Sequence, residues 1–235
     1  MQENKKKIFL VSGVTSGMGL AFCNLLQLEG HDVIPIVRDK TKLVNSEKYQ
    51  NILECDYSDS AQIDHIFKNF DFEIDAFVNF AAVLPGKSIF EQAYEGLQDL
   101  FNINVITPIL IIKNLKNRIK KGGSIILIGS ISGQKGSFDD PYAASKGAIH
   151  SLVKSLALKF APDIRVVGIA PGITDNTGMT NNLIPGLYEQ NIEKVPLKCA
   201  GKPEDIAKIA LMLTSESAQF ITGSIIDING GQYLR

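Results

Sequence analysis

Ile8-Phe9-Leu10-Val11-Ser12-Gly13-Val14-Thr15-Ser16-Gly17-Met18-Gly19 decides the reading of this chain, because four consecutive apolar residues run directly into a glycine-rich turn. A short apolar run bounded by turn residues has the length of a buried strand, and the apolar stretch that follows continues at helical length through Leu28. Strand, glycine turn and helix in that order make a seat for a pyrophosphate. One glycine permits the tight turn, another lets the backbone approach the phosphates, and the last lets the helix pack closely. The helix N-terminus adds unpaired N–H donors and a partial positive charge. The spacing is GxxxGxG rather than GxGxxG, and it marks Gly13, Thr15, Ser16, Gly17, Met18 and Gly19 as candidate dinucleotide contacts.

Outward from this unit, short Val- and Ile-rich runs alternate with longer amphipathic segments. The runs are Ile8–Val11, Val33–Val37, Ile52–Cys55, Ala76–Phe80, Ser124–Ile128, Arg165–Ala170 and Ile225–Ile228. That alternation predicts an α/β fold, a doubly wound (Rossmann) and mostly parallel seven-stranded sheet with helices on both faces. No repeat, low-complexity tract or linker interrupts it, so residues 1–235 read as one domain. Pro35 sits inside the second run, where a central strand loses a ladder donor, and predicts a local bulge or distortion.

Composition narrows the function classes. With 45% hydrophobic and 21% charged residues, 235 residues can bury a large core. The balance of 24 Lys+Arg against 25 Asp+Glu leaves no basic stripe for nucleic acid or anionic lipid. Cys23, Cys55 and Cys199 lack metal-ligand or disulfide-framework spacing and read as buried or inert thiols, so no metal site is expected. The basic start, Met1 to Lys7, runs into an apolar stretch too short for a signal peptide or membrane span, which predicts a cytoplasmic protein with no membrane partner.

Between the sixth and seventh runs, residues 173–200 carry Gly178, Pro185, Gly186 and Pro196 over a weak helical pattern. A long loop of this kind reads as a substrate lid. It follows Pro171-Gly172 at the end of a strand, and open α/β sheets bind ligands beyond the carboxyl ends of their strands.

Tyr142-Ala143-Ala144-Ser145-Lys146 places a phenol and an ammonium at i and i+4, on one helical face. A cation beside a phenol favours phenolate, so the pair predicts a lowered tyrosine pKa and proton-transfer chemistry. Twelve residues upstream, Ser130 ends the fifth run, where a hydroxyl can hydrogen-bond a substrate oxygen as charge develops. Ser132 competes for that role and reads as the start of a loop. Asn104 falls on a long helix expected to run towards Lys120 and Lys121, and a buried mid-helix Asn needs a reason; Asn102 is the local alternative.

Taken together, these motifs resemble the short-chain dehydrogenase/reductase family in its single-domain form, most of all the 3-oxoacyl-acyl-carrier-protein reductases. Ser12 stands for the threonine of the family's TGxxxGxG motif, and Cys55-Asp56-Tyr57 resembles the site where an Asp contacts adenine. Asn79-Phe80-Ala81-Ala82 occupies the place of Asn-Asn-Ala-Gly, keeping Asn79 and Ala81, and Asn229-Gly230-Gly231 that of the closing DGG. Thr177-Gly178-Met179-Thr180 is similar to the Thr-Asp-Met-Thr of those reductases. The resemblance implies coenzyme contacts at Asp56, Tyr57, Asn79, Ala81, Tyr142, Lys146, Pro171, Gly172 and Ile173. It also implies that Asn104 holds a water linking Lys146 to solvent.

Coenzyme choice turns on the end of the second strand, where an acid accepts from ribose hydroxyls and an arginine pairs with a 2′-phosphate. Val37 takes the acid's place and Arg38 follows, which predicts NADP(H) over NAD(H); Asp39 would reverse the choice if it held the acidic position. The implied reaction is hydride transfer to a ketone or 3-oxoacyl thioester, on a small or carrier-bound substrate. In it Tyr142 donates the proton, Lys146 tunes Tyr142 and bonds the nicotinamide ribose, and Ser130 positions the carbonyl. A coenzyme-binding sensor or scaffold, and a dehydrogenase oxidising a sugar or other secondary alcohol, are the competing functions. Family resemblance further implies a homotetramer or homodimer built through the helices that carry Asn104 and Tyr142.

Overall fold

Phe9 and Val11 of the first strand face one side of a sheet while Leu10, between them, faces the other, and all three are buried. That two-sided burial requires helices on both faces. The computed structural model, which describes residues 6–15, 17–178 and 186–235, supplies them. In chain order the elements are β1 (Ile8–Ser12), α1 (Gly17–Leu28), β2 (Asp32–Val37), β3 (Leu53–Glu54), α2 (Ser60–Lys68), β4 (Ile74–Asn79), α3 (Tyr94–Phe101) and α4 (Thr107–Leu115). There follow β5 (Ile119–Ile128), α5 (Ser132–Lys135), α6 (Asp140–Phe160), β6 (Arg165–Pro171), α7 (Leu187–Glu193), α8 (Pro203–Thr214) and β7 (Ile225–Ile228).

The seven strands pair in the order β3-β2-β1-β4-β5-β6-β7, every pair parallel, so the fold is the doubly wound sheet that the alternation predicts. Phe22 and Leu26 of α1 and Ile206, Ala207 and Leu213 of α8 pack with Phe9 and Val11 on one face. Ile63 of α2, Ile111 and Leu115 of α4, and Ile149 and Val153 of α6 pack with Leu10 on the other. Strand order reverses between β1 and β4, which opens a crevice at the carboxyl edge of the sheet.

Several local expectations are corrected. Pro35 causes no bulge: β1 and β2 pair in register from Ile8 with Asp32 to Ser12 with Ile36, and β3 joins β2 only at Ile36 and Val37. Pro35 thus precedes the β3 ladder, where its missing donor removes no bond. The helix bearing Asn104 does not reach Lys120. A π-helical turn, Asn102–Ile106, joins α3 to α4, which ends at Leu115, and Lys120 and Lys121 lie near the start of β5. Between β2 and β3 the chain forms only two short 3₁₀ turns, Lys40–Lys42 and Ser46–Lys48, which suits the short connection there. Cys23 and Cys55 are buried, and burial pushes each thiol up to about 12, whereas Cys199 is exposed. Among the described residues, no helix is long and apolar enough to cross a membrane.

Candidate active site

The glycine turn works by close approach. Gly13 has φ +70°, and a Cβ there would lie 2.7 Å from both the Ala81 nitrogen and the Phe80 carbonyl carbon. A Cβ on Gly19 would lie 2.2 Å from the Gly13 oxygen, so α1 starts directly against the turn. The turn and the β4 end are laced together: Ser12 Oγ donates to Asn79 Oδ1 at 2.7 Å and accepts from Ala81 N–H at 3.2 Å. Tyr57 Oη reaches the same Asn79 oxygen at 3.5 Å. Asn79 is therefore a brace behind the turn, and Tyr57, buried, is another. Gly13→Ala is expected to cost about 1–3 kcal/mol for the left-handed backbone alone, with a melting temperature lower by at least several degrees and coenzyme affinity lost with it. Thermal melts with and without coenzyme read both effects.

A cleft of about 540 Å³ opens over this turn. Its lining brings together Gly13, Thr15, Gly17, Met18, Gly19, Arg38, Asp56, Tyr57 and Ala81 of the predicted contacts, while Ser16 lies outside the described residues. Asn79, Tyr142, Lys146, Pro171, Gly172 and Ile173 are not part of that lining. Leu84, Pro85 and Ile103, which the sequence did not single out, wall the cleft with Thr177 and Gly178. Glycines that a Cβ would push out of contact, a helix N-terminus and a cleft lined by an arginine fit a dinucleotide.

Arg38 and Asp39 are separated by their surroundings. Arg38 is exposed and lines the cleft. Asp39 instead caps the first 3₁₀ turn, its Oδ1 accepting from Thr41 Oγ1 at 2.6 Å and from Thr41 N–H at 2.9 Å. Those bonds hold its carboxyl below the usual range. Asp56 is likewise held low, first by the Ser58 N–H, with the Ser58 hydroxyl and Arg38 adding to it.

At the β5 end, Ser130 is 9% exposed, Tyr142 7% and Lys146 3%. Pro141 lies in the first turn of α6, a placement that suits its fixed φ and missing donor, and Asp139 caps the helix. Lys146 Nζ lies 5.7 Å from the Tyr142 ring centroid and donates to the Ile128 carbonyl at 2.9 Å. The Ser130 side chain hydrogen-bonds Tyr142, and Ser130 Oγ also accepts from Ser132 N–H at 3.0 Å. Ser132 starts the helical turn α5 rather than a loop.

The predicted lowering of the Tyr142 pKa is reversed. Burial pushes the phenol up to about 12 against the smaller effect of the Ser130 bond, and the same burial brings Lys146 down to about 8. Desolvation penalises the charged forms of both groups at once. At neutral pH Tyr142 is a protonated phenol, the form that donates.

Asn104 is 2% exposed and holds segments together. Its Oδ1 accepts from Val83 N–H at 2.8 Å, and its Nδ2 donates to the Val83 carbonyl and to Ser145 Oγ, each at 3.0 Å. Both side-chain donor hydrogens are thereby used, so the expected water would not be held by the amide nitrogen.

His150 was missed, although its spacing gives it away: Tyr142, Lys146 and His150 at i, i+4 and i+8 share one face of α6. Its Nε2 accepts from Ser130 N–H at 3.3 Å, and a Cβ on Gly129 would come within 2.2 Å of that nitrogen. Burial first, then the Lys146 charge, lowers His150 to about 4. Its folded pKa thus lies below the unfolded value, and the unfolded chain binds more protons between about pH 6.5 and 4. Stability is expected to fall as pH drops through that window, and His150→Gln, which takes no proton, should flatten the fall in melting temperature.

Comparisons with known proteins bear on this geometry. A family model described as enoyl-(acyl carrier protein) reductase matches residues 13–232. A 3-oxoacyl-[acyl-carrier-protein] reductase of Buchnera aphidicola is 32% identical, with 99% of each chain covered. A crystal structure from Brucella melitensis, described as a short-chain dehydrogenase/reductase of glucose/ribitol dehydrogenase type, superposes with a TM-score of 0.89 at 26% identity, over 97% of each chain. A 4-hydroxyisoleucine dehydrogenase complexed with NADH superposes at 0.88 with 27% identity, over 97% of this chain and 98% of that one.

Proposed function

Since the chain belongs to the short-chain dehydrogenase/reductase family of oxidoreductases, we propose that it reduces a ketone or 3-oxoacyl thioester to an alcohol at the expense of NADPH. The observation that carries this reading is Tyr142, buried beside Lys146 and hydrogen-bonded by Ser130 at the carboxyl edge of β5. Reduction needs a loaded proton donor, and burial keeps the phenol loaded.

The Gly13–Gly19 turn would hold the pyrophosphate, Asp56 and Tyr57 would flank the adenine, and Arg38 would meet the 2′-phosphate. When bound, the coenzyme supplies hydride. Tyr142 gives its hydroxyl proton to the carbonyl oxygen, so one hydride and one proton convert the carbonyl to the alcohol. Ser130 donates to the same oxygen, a bond that strengthens as negative charge gathers there. Lys146, an ammonium deprived of water, favours the phenolate that Tyr142 becomes. Residues 173–200 act in this reading as the lid that excludes water; residues 179–185 of it, including Met179, Thr180 and Pro185, lie outside the described residues. Ile106, Ile109 and Leu158, exposed near and on α4 and α6, suit an assembly of two or four copies through those helices.

A second reading, oxidation of a sugar or other secondary alcohol, is favoured by the likeness to the glucose/ribitol-type and 4-hydroxyisoleucine dehydrogenases. Initial rates separate the two. NADPH consumption with ketones and acetoacetyl-coenzyme A should exceed NAD⁺ or NADP⁺ reduction with polyols at the same neutral pH, and the opposite ratio would establish the oxidative reading. A coenzyme-binding scaffold would show neither rate.

A further inference from the structure

Four consecutive backbone amides after β4 donate to carboxylates. Gly86 and Lys87 N–H meet Asp139 Oδ2 at 2.7 and 3.3 Å. Ser88 N–H meets Glu91 Oε2 at 3.0 Å, and Ile89 N–H meets Asp140 Oδ2 at 3.2 Å. Successive amides around a left-handed glycine, here Gly86 at φ +69°, make a concavity suited to an anion. The chain fills this one with its own acids, two of them supplied from the start of α6.

Asp139 is 1% exposed and divides its two oxygens between two structures. Oδ1 accepts from Tyr142 N–H at 3.0 Å and so caps the helix that carries Tyr142 and Lys146. Oδ2 holds the segment whose Leu84, Pro85 and Gly86 wall the cleft. A cap alone needs one oxygen, and serine would serve. The second oxygen has a separate consequence, since it ties the wall to the helix that presents the proton donor.

We propose that Asp139 is a positioning residue that fixes the cleft wall at Leu84–Gly86 relative to the helix bearing Tyr142, so that capture of the coenzyme in that cleft depends on its second carboxylate oxygen. The inference rests on the reading of that cleft as the coenzyme site. Glycine at 86 allows the left-handed turn, and two charge-assisted bonds then pin it. Without them the wall is free to move while α6 stays capped.

Asp139→Ser tests this, because its hydroxyl can cap Tyr142 N–H but offers no second oxygen to the wall. Amide hydrogen exchange at Gly86 and Lys87 should accelerate at least about tenfold, the order expected for two lost charge-assisted bonds. At saturating acetoacetyl-coenzyme A, KM for NADPH should rise about tenfold, with kcat within about twofold of wild type, as for loss of binding alone. Asp139→Asn is the companion variant: it keeps Oδ1 for the cap and turns an NH₂ donor towards two donors, and the same split is expected. Unchanged exchange at Gly86 and Lys87 in both variants would overturn the proposal, as would faster exchange with KM unmoved, or kcat falling at constant KM. If the wild type does not turn over the thioester, the substrate reading fails, and the exchange result alone upholds or overturns the clamp.

Discussion

Tyr142→Phe is expected to lower kcat for carbonyl reduction by about 10²–10⁴-fold, the usual contribution of a positioned general acid, while leaving NADPH affinity within about twofold. The substitution removes one oxygen from a ring that is 7% exposed, so the packing around it is nearly preserved. The ring face that Lys146 Nζ approaches at 5.7 Å also remains. What disappears is the transferable proton and the hydroxyl that Ser130 hydrogen-bonds. Turnover should fall at every pH, because no other side chain of the site takes over: His150 is neutral above about pH 4 and its Nε2 already accepts from Ser130 N–H. Steady-state rates paired with calorimetric titration of NADPH read the two quantities separately. A variant that kept wild-type kcat would remove Tyr142 from the mechanism.

Arg38→Asp is expected to move the preference for NADPH over NADH by about 10–150-fold, from about 1.5–3 kcal/mol for a hydrogen bond to a charged group. The shift has two parts. The guanidinium that would pair with the 2′-phosphate is lost, and the new carboxylate repels the phosphate while accepting from ribose hydroxyls. Arg38 is exposed at the end of β2, so folding should be little affected. Asp39 is the weaker candidate for the acidic part, since Thr41 N–H and Oγ1 bond its Oδ1 and it does not line the cleft. Ratios of kcat/KM for the two coenzymes measure the effect, and an unchanged ratio would free Arg38 of any role in coenzyme choice.

What was legible in the sequence was local. The β1 run and its glycines declare a strand, a turn and a helix within about twenty residues, and the i, i+4 spacing puts Tyr142 and Lys146 on one face. What was not legible joins distant segments. Asp139 binds Gly86 across 53 residues, Asn104 binds Val83 across 21, and Ser130 meets His150 across 20. Lys120-Lys121-Gly122 mimics a helix end, with basic residues in the last turn and glycine just beyond. It is a strand start because Lys120 pairs with Asp75 of β4 at 3.0 Å and Ile119 pairs with Ile74. The direction of the Tyr142 shift is not legible in the sequence for a related reason. Spacing reveals the neighbouring charge, but only the assembled fold shows how completely water is removed from both groups.

The most direct test of the account is the nicotinamide absorbance of NADPH mixed with acetoacetyl-coenzyme A or a simple ketone, followed with wild-type protein and Tyr142→Phe side by side. The account predicts steady consumption of NADPH, one equivalent per alcohol formed, with wild type and almost none with the variant. Equal consumption by the two proteins, or tight binding of NADPH to wild type with no consumption on any carbonyl, would contradict it.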